Sequence, residues 1–195
     1  MNKNLYIIAG CNGAGKTTAS YTILPNILHC REFLNADEIA HGLSPFQPQT
    51  MAITAGKIML KRTAELLNRN KNFAVETTLA AKNYKKTIDA AKSKKYNVTL
   101  LFFWLQTVDL AKKRVQARVN AGGHNIETDV IQRRYVSGII NLFDIYIPIV
   151  DTLLIFDNSE GNHQLIAKKK PHNKLQVIDS SKFNNMINQY YEYKR

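Results

Sequence analysis

The sequence predicts an α/β fold: a five-stranded parallel sheet sandwiched by helices, with a small β-hairpin and helix at its C-terminal end. Three observations predict it. Short apolar runs alternate with longer amphipathic stretches over residues 5–156, the pattern of strand–helix–strand units. The stretch Val98-Thr99-Leu100-Leu101-Phe102-Phe103-Trp104-Leu105 is apolar at nearly every position, as a strand covered on both faces must be. Residues Gly10-Cys11-Asn12-Gly13-Ala14-Gly15-Lys16-Thr17 fit the P-loop pattern G-x-x-x-x-G-K-[ST] at every fixed position. The class is therefore a P-loop NTPase, with right-handed crossovers placing helices on both faces of the sheet.

The elements follow in order. Leu5 to Ala9 is the first strand, and Thr17 to Leu24 continues from the P-loop as a helix. Arg31 to Ala36 reads as a short second strand, ending at Asp37 and a helical Glu38-Ile39-Ala40. Glycine and two prolines make Gly42 to Pro48 a loop. A long helix runs from Gln49 to Asn68, with Met51, Ile58, Met59, Leu66 and Leu67 roughly at helical spacing. Phe73 to Val75 is the third strand and closes on Glu76-Thr77-Thr78. Lys82 to Lys95 is a basic amphipathic helix, and Tyr96 to Leu105 the fourth, central strand. Asp109 to Asn120 is helical, residues 121–127 break the helix, and Thr128 caps the next one, which reaches Phe143 or Tyr146. Thr152 to Phe156 is the fifth strand. A hairpin of Gln164 to Lys169 and Lys174 to Asp179 follows, then a short helix carrying Phe183, Met186, Ile187 and Tyr190. The expected organisation is a core over residues 1–160, with a lid segment near 114–134, and an appendage over 161–195.

Composition bounds the function. With 195 residues and 45% hydrophobic content, the chain is one globular domain with a sizeable core. No apolar run reaches membrane-spanning length, and the first strand begins too early to leave room for a signal peptide. Cys11 and Cys30 are the only cysteines, at no metal-ligand spacing, so reduced thiols in a cytoplasmic protein are expected. The net charge of +12 suits polyanionic ligands, although lysines such as Lys92, Lys94 and Lys112 also fit solvated helix faces.

The P-loop supplies phosphate chemistry. Its glycines let the backbone curl so that successive N–H groups form an anion nest at the positive end of a helix dipole. Gly10, Cys11, Asn12, Gly13, Ala14, Gly15, Lys16, Thr17 and Thr18 are the expected nucleotide contacts, with Lys16 on the outer phosphates and the Thr17 hydroxyl on Mg²⁺. Ligands of an open parallel sheet bind beyond the carboxyl ends of its strands. There the sequence places Asp37 after strand two and Glu76 and Thr78 after strand three. One carboxylate can take the proton of an attacking hydroxyl, and the other can orient Mg²⁺ or hold the acceptor. Asp37 could equally cap a helix starting at Glu38. Arg114, Arg118, Arg133 and Arg134 flank a Gly122-Gly123-His124 hinge, where a lid would bring cations to a transferring phosphoryl group.

With those residues placed, the chain resembles the zeta-toxin family of P-loop kinases, in particular the chromosomal branch labelled predicted ABC-type ATPase or kinase. The matching stretches are Tyr6 to Gly10 into the P-loop, Phe33 to Asp37, Gly42 to Phe46, Glu76 to Leu79, and Gly122 to Ile126 leading to Arg133-Arg134-Tyr135. They extend from the N-terminus to about Asn158. The resemblance implies a kinase-like fold and an ATP- and Mg²⁺-dependent phosphotransferase, whose acceptor in the family is a hydroxyl of a UDP-N-acetylamino sugar. It implies Asp37 as catalytic base, Lys16 and Thr17 on ATP and Mg²⁺, Glu76 and Thr78 on the acceptor, and Arg118, with basic residues around His124, as phosphate clamps. Arg133 and Arg134 stand where further lid cations are expected. Ala80 occupies a position that is arginine in the toxins.

The ABC label is not literal, because the chain carries no transporter-ATPase signature segment. It has no Asn-Lys-x-Asp guanine motif, and in place of the expected Walker B aspartate the available acids are Asp37, Glu76 and Asp157. That pattern fits small-molecule kinases better than GTPases or motor ATPases. Three function classes stay open at this stage. The first is a zeta-toxin-like kinase of a small-molecule hydroxyl. The second is a kinase of nucleotides or nucleic-acid ends, motivated by the charge and by Lys168, Lys169, Lys170 and Lys174. The third is an ATP-gated module that meets an antitoxin through Tyr190, Tyr191 and Tyr193.

Overall fold

The computed structural model describes residues 3–123 and 125–195. Five strands are parallel: β1 (Lys3–Gly10), β2 (Phe33–Leu34), β3 (Phe73–Thr77), β4 (Tyr96–Trp104) and β5 (Thr152–Asp157). β6 (Gln164–Lys169) and β7 (Gln176–Val177) are antiparallel. The sheet order is β2-β3-β1-β4-β5-β6-β7. The hairpin foreseen after the fifth strand is thus part of the main sheet, which has seven strands rather than five. The physical reason is the free edge of β5, whose backbone groups are paired by β6.

β1 and β4 lie side by side at the centre, with Leu5 facing Val98 and Ile7 facing Leu100, all fully buried. Burial at consecutive positions of both strands follows from helices on both faces. Those helices are α1 (Lys16–Asn26), α2 (Ala36–Leu43), α3 (Ala52–Asn68), α4 (Tyr84–Ser93), α5 (Val108–Asn120) and α6 (Thr128–Asn141). After α6 come a π-helical turn (Leu142–Tyr146), the short α7 (Ile147–Ile149) and, after the hairpin, α8 (Ser180–Tyr193). None of the helices among the described residues is long and apolar enough to cross a membrane.

Some boundaries differ from the sequence pattern for local reasons. The second strand shrinks to two residues because the Asn35 side chain turns to cap α2. The long helix is preceded by a 3-10 turn, Pro48–Met51, in which proline supplies the fixed φ of a first turn. Thr128 is the first residue of α6, and Glu127 stands at the cap position.

Gly10 shows why the P-loop starts where it does. Its φ is +142°, and a Cβ there would stand 2.1 Å from the Phe103 carbonyl oxygen. Gly10→Ala is therefore expected to cost about 2–3 kcal/mol, by overpacking against a backbone atom that cannot yield. Urea unfolding of the variant and the parent checks this, and an unchanged midpoint would contradict it.

The segment after β3 is pinned from α6. Leu79 is fully buried at φ +56°, a strained backbone for a leucine. The buried Asn141 amide donates to the Leu79 carbonyl at 2.7 Å and the Ala80 carbonyl at 3.1 Å. The Tyr146 hydroxyl donates to the Ala81 carbonyl at 2.9 Å. Asn141 immediately precedes the π-helical turn and Tyr146 ends it, so the turn and the anchored segment belong together.

Candidate active site

The P-loop joins β1 to α1 with the backbone its glycines permit. Gly13 and Gly15 have φ of +77° and +80°, and α1 starts directly at Lys16. A Cβ on Gly15 would stand 2.5 Å from the Asn158 amide nitrogen. That closeness is used, since Asn158 Nδ2 donates to the Ala14 carbonyl at 2.8 Å. Asn158 is 3% exposed and follows β5, two strands away from β1. It braces the loop from behind. Next to it, Arg114 of α5 donates to the Ser159 carbonyl at 2.8 Å. Burial, and then the Arg114 charge, hold the His163 imidazole below its ordinary pKa, so it sits neutral beside Phe103. Burial also pushes the Cys11 thiol up to about 11, which makes it a packing residue rather than a nucleophile.

Asn158→Ala is expected to lower the unfolding free energy by about 1–3 kcal/mol, because the Ala14 carbonyl loses its buried donor. The same change loosens the loop. Calorimetric titration with ATP should show weaker binding than the parent, and equal affinity would separate the brace from the loop's function.

The front of the loop faces a cleft of about 1140 Å³. Lys16 and Glu76 are almost buried there, with Lys16 Nζ 3.7 Å from Glu76 Oε1 and 2.9 Å from the Cys11 carbonyl it donates to. The Thr17 hydroxyl reaches both Glu76 oxygens, at 3.0 and 2.9 Å. Burial pushes the Glu76 carboxyl up, Lys16 and Thr17 pull it back, and the Asp37 and Glu38 carboxylates push it up again. The net direction is upward. Asn35 Nδ2 lies 3.5 Å from the Thr17 hydroxyl, while its Oδ1 accepts from the backbone N–H groups of Asp37 and Glu38. Asn35 is thus the cap of α2. This frees the Asp37 side chain, which is exposed and lines the cleft.

Among the described residues no group of three or more His, Cys, Asp and Glu side chains converges as a metal site. Beside the P-loop the cleft offers one hydroxyl, Thr17, in contact with one carboxylate, Glu76. Hard oxygen donors in that number suit Mg²⁺, which is commonly held by one or two protein oxygens and by nucleotide phosphates.

The residues expected from sequence divide as follows. Asn12, Gly13, Gly15, Lys16, Thr17 and Thr18 line the cleft, whereas Gly10, Cys11 and Ala14 lie behind it. Asp37 and Glu76 line it from α2 and β3, and Arg118 and Arg134 from α5 and α6. Arg134 donates to the Asn12 side chain at 3.2 Å, which ties α6 to the loop. Arg133 belongs instead to a separate shallow groove with Asp129, Gln132 and Ser137. Thr78 does not line the cleft; its hydroxyl accepts from the Ala80 N–H at 3.4 Å, inside the pinned segment. His124 lies outside the described residues. The bracing groups Asn158 and Ser159 and the cap Asn35 were not singled out from sequence. Asn35 could have been, because an Asn three residues before a Glu at a helix start is a capping signal.

Comparison with known proteins agrees with this picture at the level of fold. The chain is 27% identical over 135 residues to an uncharacterized protein of Haemophilus influenzae, covering 69% of this chain and 94% of that one. Its fold is similar to that in the PezAT chromosomal toxin–antitoxin system of Streptococcus pneumoniae, with a TM-score of 0.66 and 17% identity over 100% of this chain and 88% of that chain. It is also similar to the AvrRxo1-ORF1:ORF2 complex solved with ATP, with a TM-score of 0.74 and 15% identity over 95% of this chain. The chain spans only 63% of the length of that AvrRxo1 chain. The fold is that of a kinase-like P-loop domain, in agreement with the resemblance to zeta toxins. A protein-family model described as an AAA domain matches residues 5–135, the span that holds Lys16, Asp37, Glu76 and Arg134, and the chain belongs to that family.

Proposed function

We propose that this protein is an ATP- and Mg²⁺-dependent phosphotransferase acting on a hydroxyl of a small molecule. The observation that carries the reading is the freed Asp37 carboxylate, which shares one cleft with the P-loop lysine. An exposed carboxylate in the same cleft supplies a proton acceptor, which nucleotide binding alone does not use. The P-loop N–H groups and Lys16 bind the outer phosphates of ATP. Arg118 and Arg134, which line the same cleft, meet the charge on the transferring group. Asp37 takes the proton of the acceptor hydroxyl. The acceptor oxygen then bonds to the γ-phosphorus, and the bond from that phosphorus to the β–γ bridging oxygen breaks. ADP, a phosphate monoester and one proton result. Thr17 and Glu76 would hold Mg²⁺, which when bound neutralises phosphate charge. The role of Lys16 is electrostatic, so Lys16→Ala should abolish transfer.

The test is a screen with γ-labelled ATP and Mg²⁺ across small alcohols, sugar nucleotides and nucleotides. Transfer by the parent and none by Lys16→Ala supports the reading. Equal label transfer by both proteins would trace the activity to a contaminant and remove the support.

A further inference from the structure

The two ends of the cleft differ in chemistry. At the P-loop end the cations are fastened to the loop and its brace: Lys16 to the Cys11 carbonyl, Arg134 to Asn12 and Arg114 to Ser159. Arg118 stands one turn beyond Arg114 on α5, its stem against Gly123. The far end is walled by α2, the loop after it and the 3-10 turn. There Phe46, Pro45 and Pro48 make an apolar wall. Phe46 is 96% exposed and stacks on no other ring among the described residues. A large aromatic side chain left in water inside a cleft has a contact surface to offer. Asp37 and Glu38 flank this wall, and Glu127 faces the cleft from the start of α6. His41, also on the α2 side, is the one residue of basic type among the described residues of that wall.

We propose that the acceptor is a ring-bearing alcohol without anionic groups, neutral or amino-substituted, whose ring lies on Phe46. This rests on the phosphotransferase reading of the same cleft. A flat ring on Phe46 replaces water on both faces. The hydroxyl of such a molecule points back toward Asp37, which takes its proton as the oxygen bonds to the γ-phosphorus and ADP leaves. An amino group would meet Glu38 or Glu127. A pyrophosphate or a phosphodiester at the same end would meet the Asp37 and Glu38 carboxylates of α2, and like charges brought together in a cleft repel. The net charge of the chain does not contradict this, because specificity depends on the local field and not on the sum.

The experiment compares four probes on the full chain with ATP and Mg²⁺. Adenosine and 2-amino-1-phenyl-1,3-propanediol are ring-bearing and lack anionic groups. UDP-N-acetylglucosamine and a 5′-hydroxyl oligonucleotide are anionic. Binding of each probe is measured on protein loaded with a non-hydrolysable ATP analogue, and label transfer is measured in parallel. The expected result is at least tenfold tighter binding of one of the first two over both anionic probes. Phe46→Ala, which folds normally because the ring is exposed, should raise KM for the favoured probe at least tenfold. Glu38→Lys with Glu127→Lys should shift preference toward the sugar nucleotide. Tighter binding of an anionic probe, no binding of either ring-bearing probe, or an unchanged KM in Phe46→Ala overturns the acceptor proposal. If the protein fails to bind the ATP analogue, or binds a ring-bearing probe that is never phosphorylated, it is the phosphotransferase reading that fails.

Discussion

Asp37→Asn is expected to slow phosphate transfer by about 10²–10⁴-fold while ATP affinity stays at the parent value. The magnitude is that of losing a positioned base. The separation from ATP binding comes from the structure. The carboxylate lies on α2 rather than on the P-loop, and the capping of α2 is done by the Asn35 side chain. Asparagine keeps the size of the side chain, and the backbone N–H of residue 37 still donates to Asn35. The helix therefore stays as it was, and only proton acceptance is lost. Single-turnover transfer rates and fluorescence titration with an ATP analogue, run on the same preparations, check both halves. A variant with the parent's rate would move the base elsewhere. A variant with weakened ATP binding would mean that Asp37 supports the nucleotide instead of the acceptor.

Asp157→Ala should cost about 3–5 kcal/mol of folding stability. This carboxylate ends β5 and is 1% exposed. It accepts from Lys182 Nζ at 2.8 Å, Gln106 Nε2 at 2.9 Å and the Ser159 N–H at 2.9 Å, as well as from the Ser159 hydroxyl. Removing it leaves several donors without an acceptor. Burial works to raise its pKa, but the bonds from Lys182, Ser159 and Gln106 prevail and hold it below the ordinary value. A carboxyl held low when folded contributes stability above its unfolded pKa of about 4, and that stability is lost as pH falls through the folded value. The difference between parent and variant in urea unfolding should therefore be full at pH 7 and should shrink below about pH 4. An equal difference at pH 7 and pH 3 would show that the side chain's shape, and not its charge, is what the fold needs.

The sheet core was readable because β1 and β4 are apolar at successive positions, which little else in a chain of this length explains. The hairpin was readable as a hairpin. Its membership of the main sheet was not, since edge pairing with β5 is a tertiary choice with no local periodicity. In the site, Lys16, Asp37 and Glu76 were legible from motif and strand ends. The two adjacent arginines were not separable. Neighbours on a helix point about 100° apart, so one of Arg133 and Arg134 had to turn away, and only the packing of α6 shows which. Thr78 follows Glu76 by two residues, the spacing of a shared strand face. The strand ends at Thr77, and the left-handed Leu79 takes the chain out of that alternation. Asn158 is far from the P-loop in sequence and meets it only across β4.

The brace behind the P-loop also has a consequence at the other end of the chain. Asn158 touches the loop, Asp157 beside it holds Lys182, and Gln189 joins Gln106, Trp104 and Tyr135. Helix α8 and the P-loop thus share one set of polar contacts. Hydrogen exchange would read this directly: occupancy of the loop is expected to slow exchange of the α8 amides, and unchanged α8 exchange would show that the contacts carry no coupling.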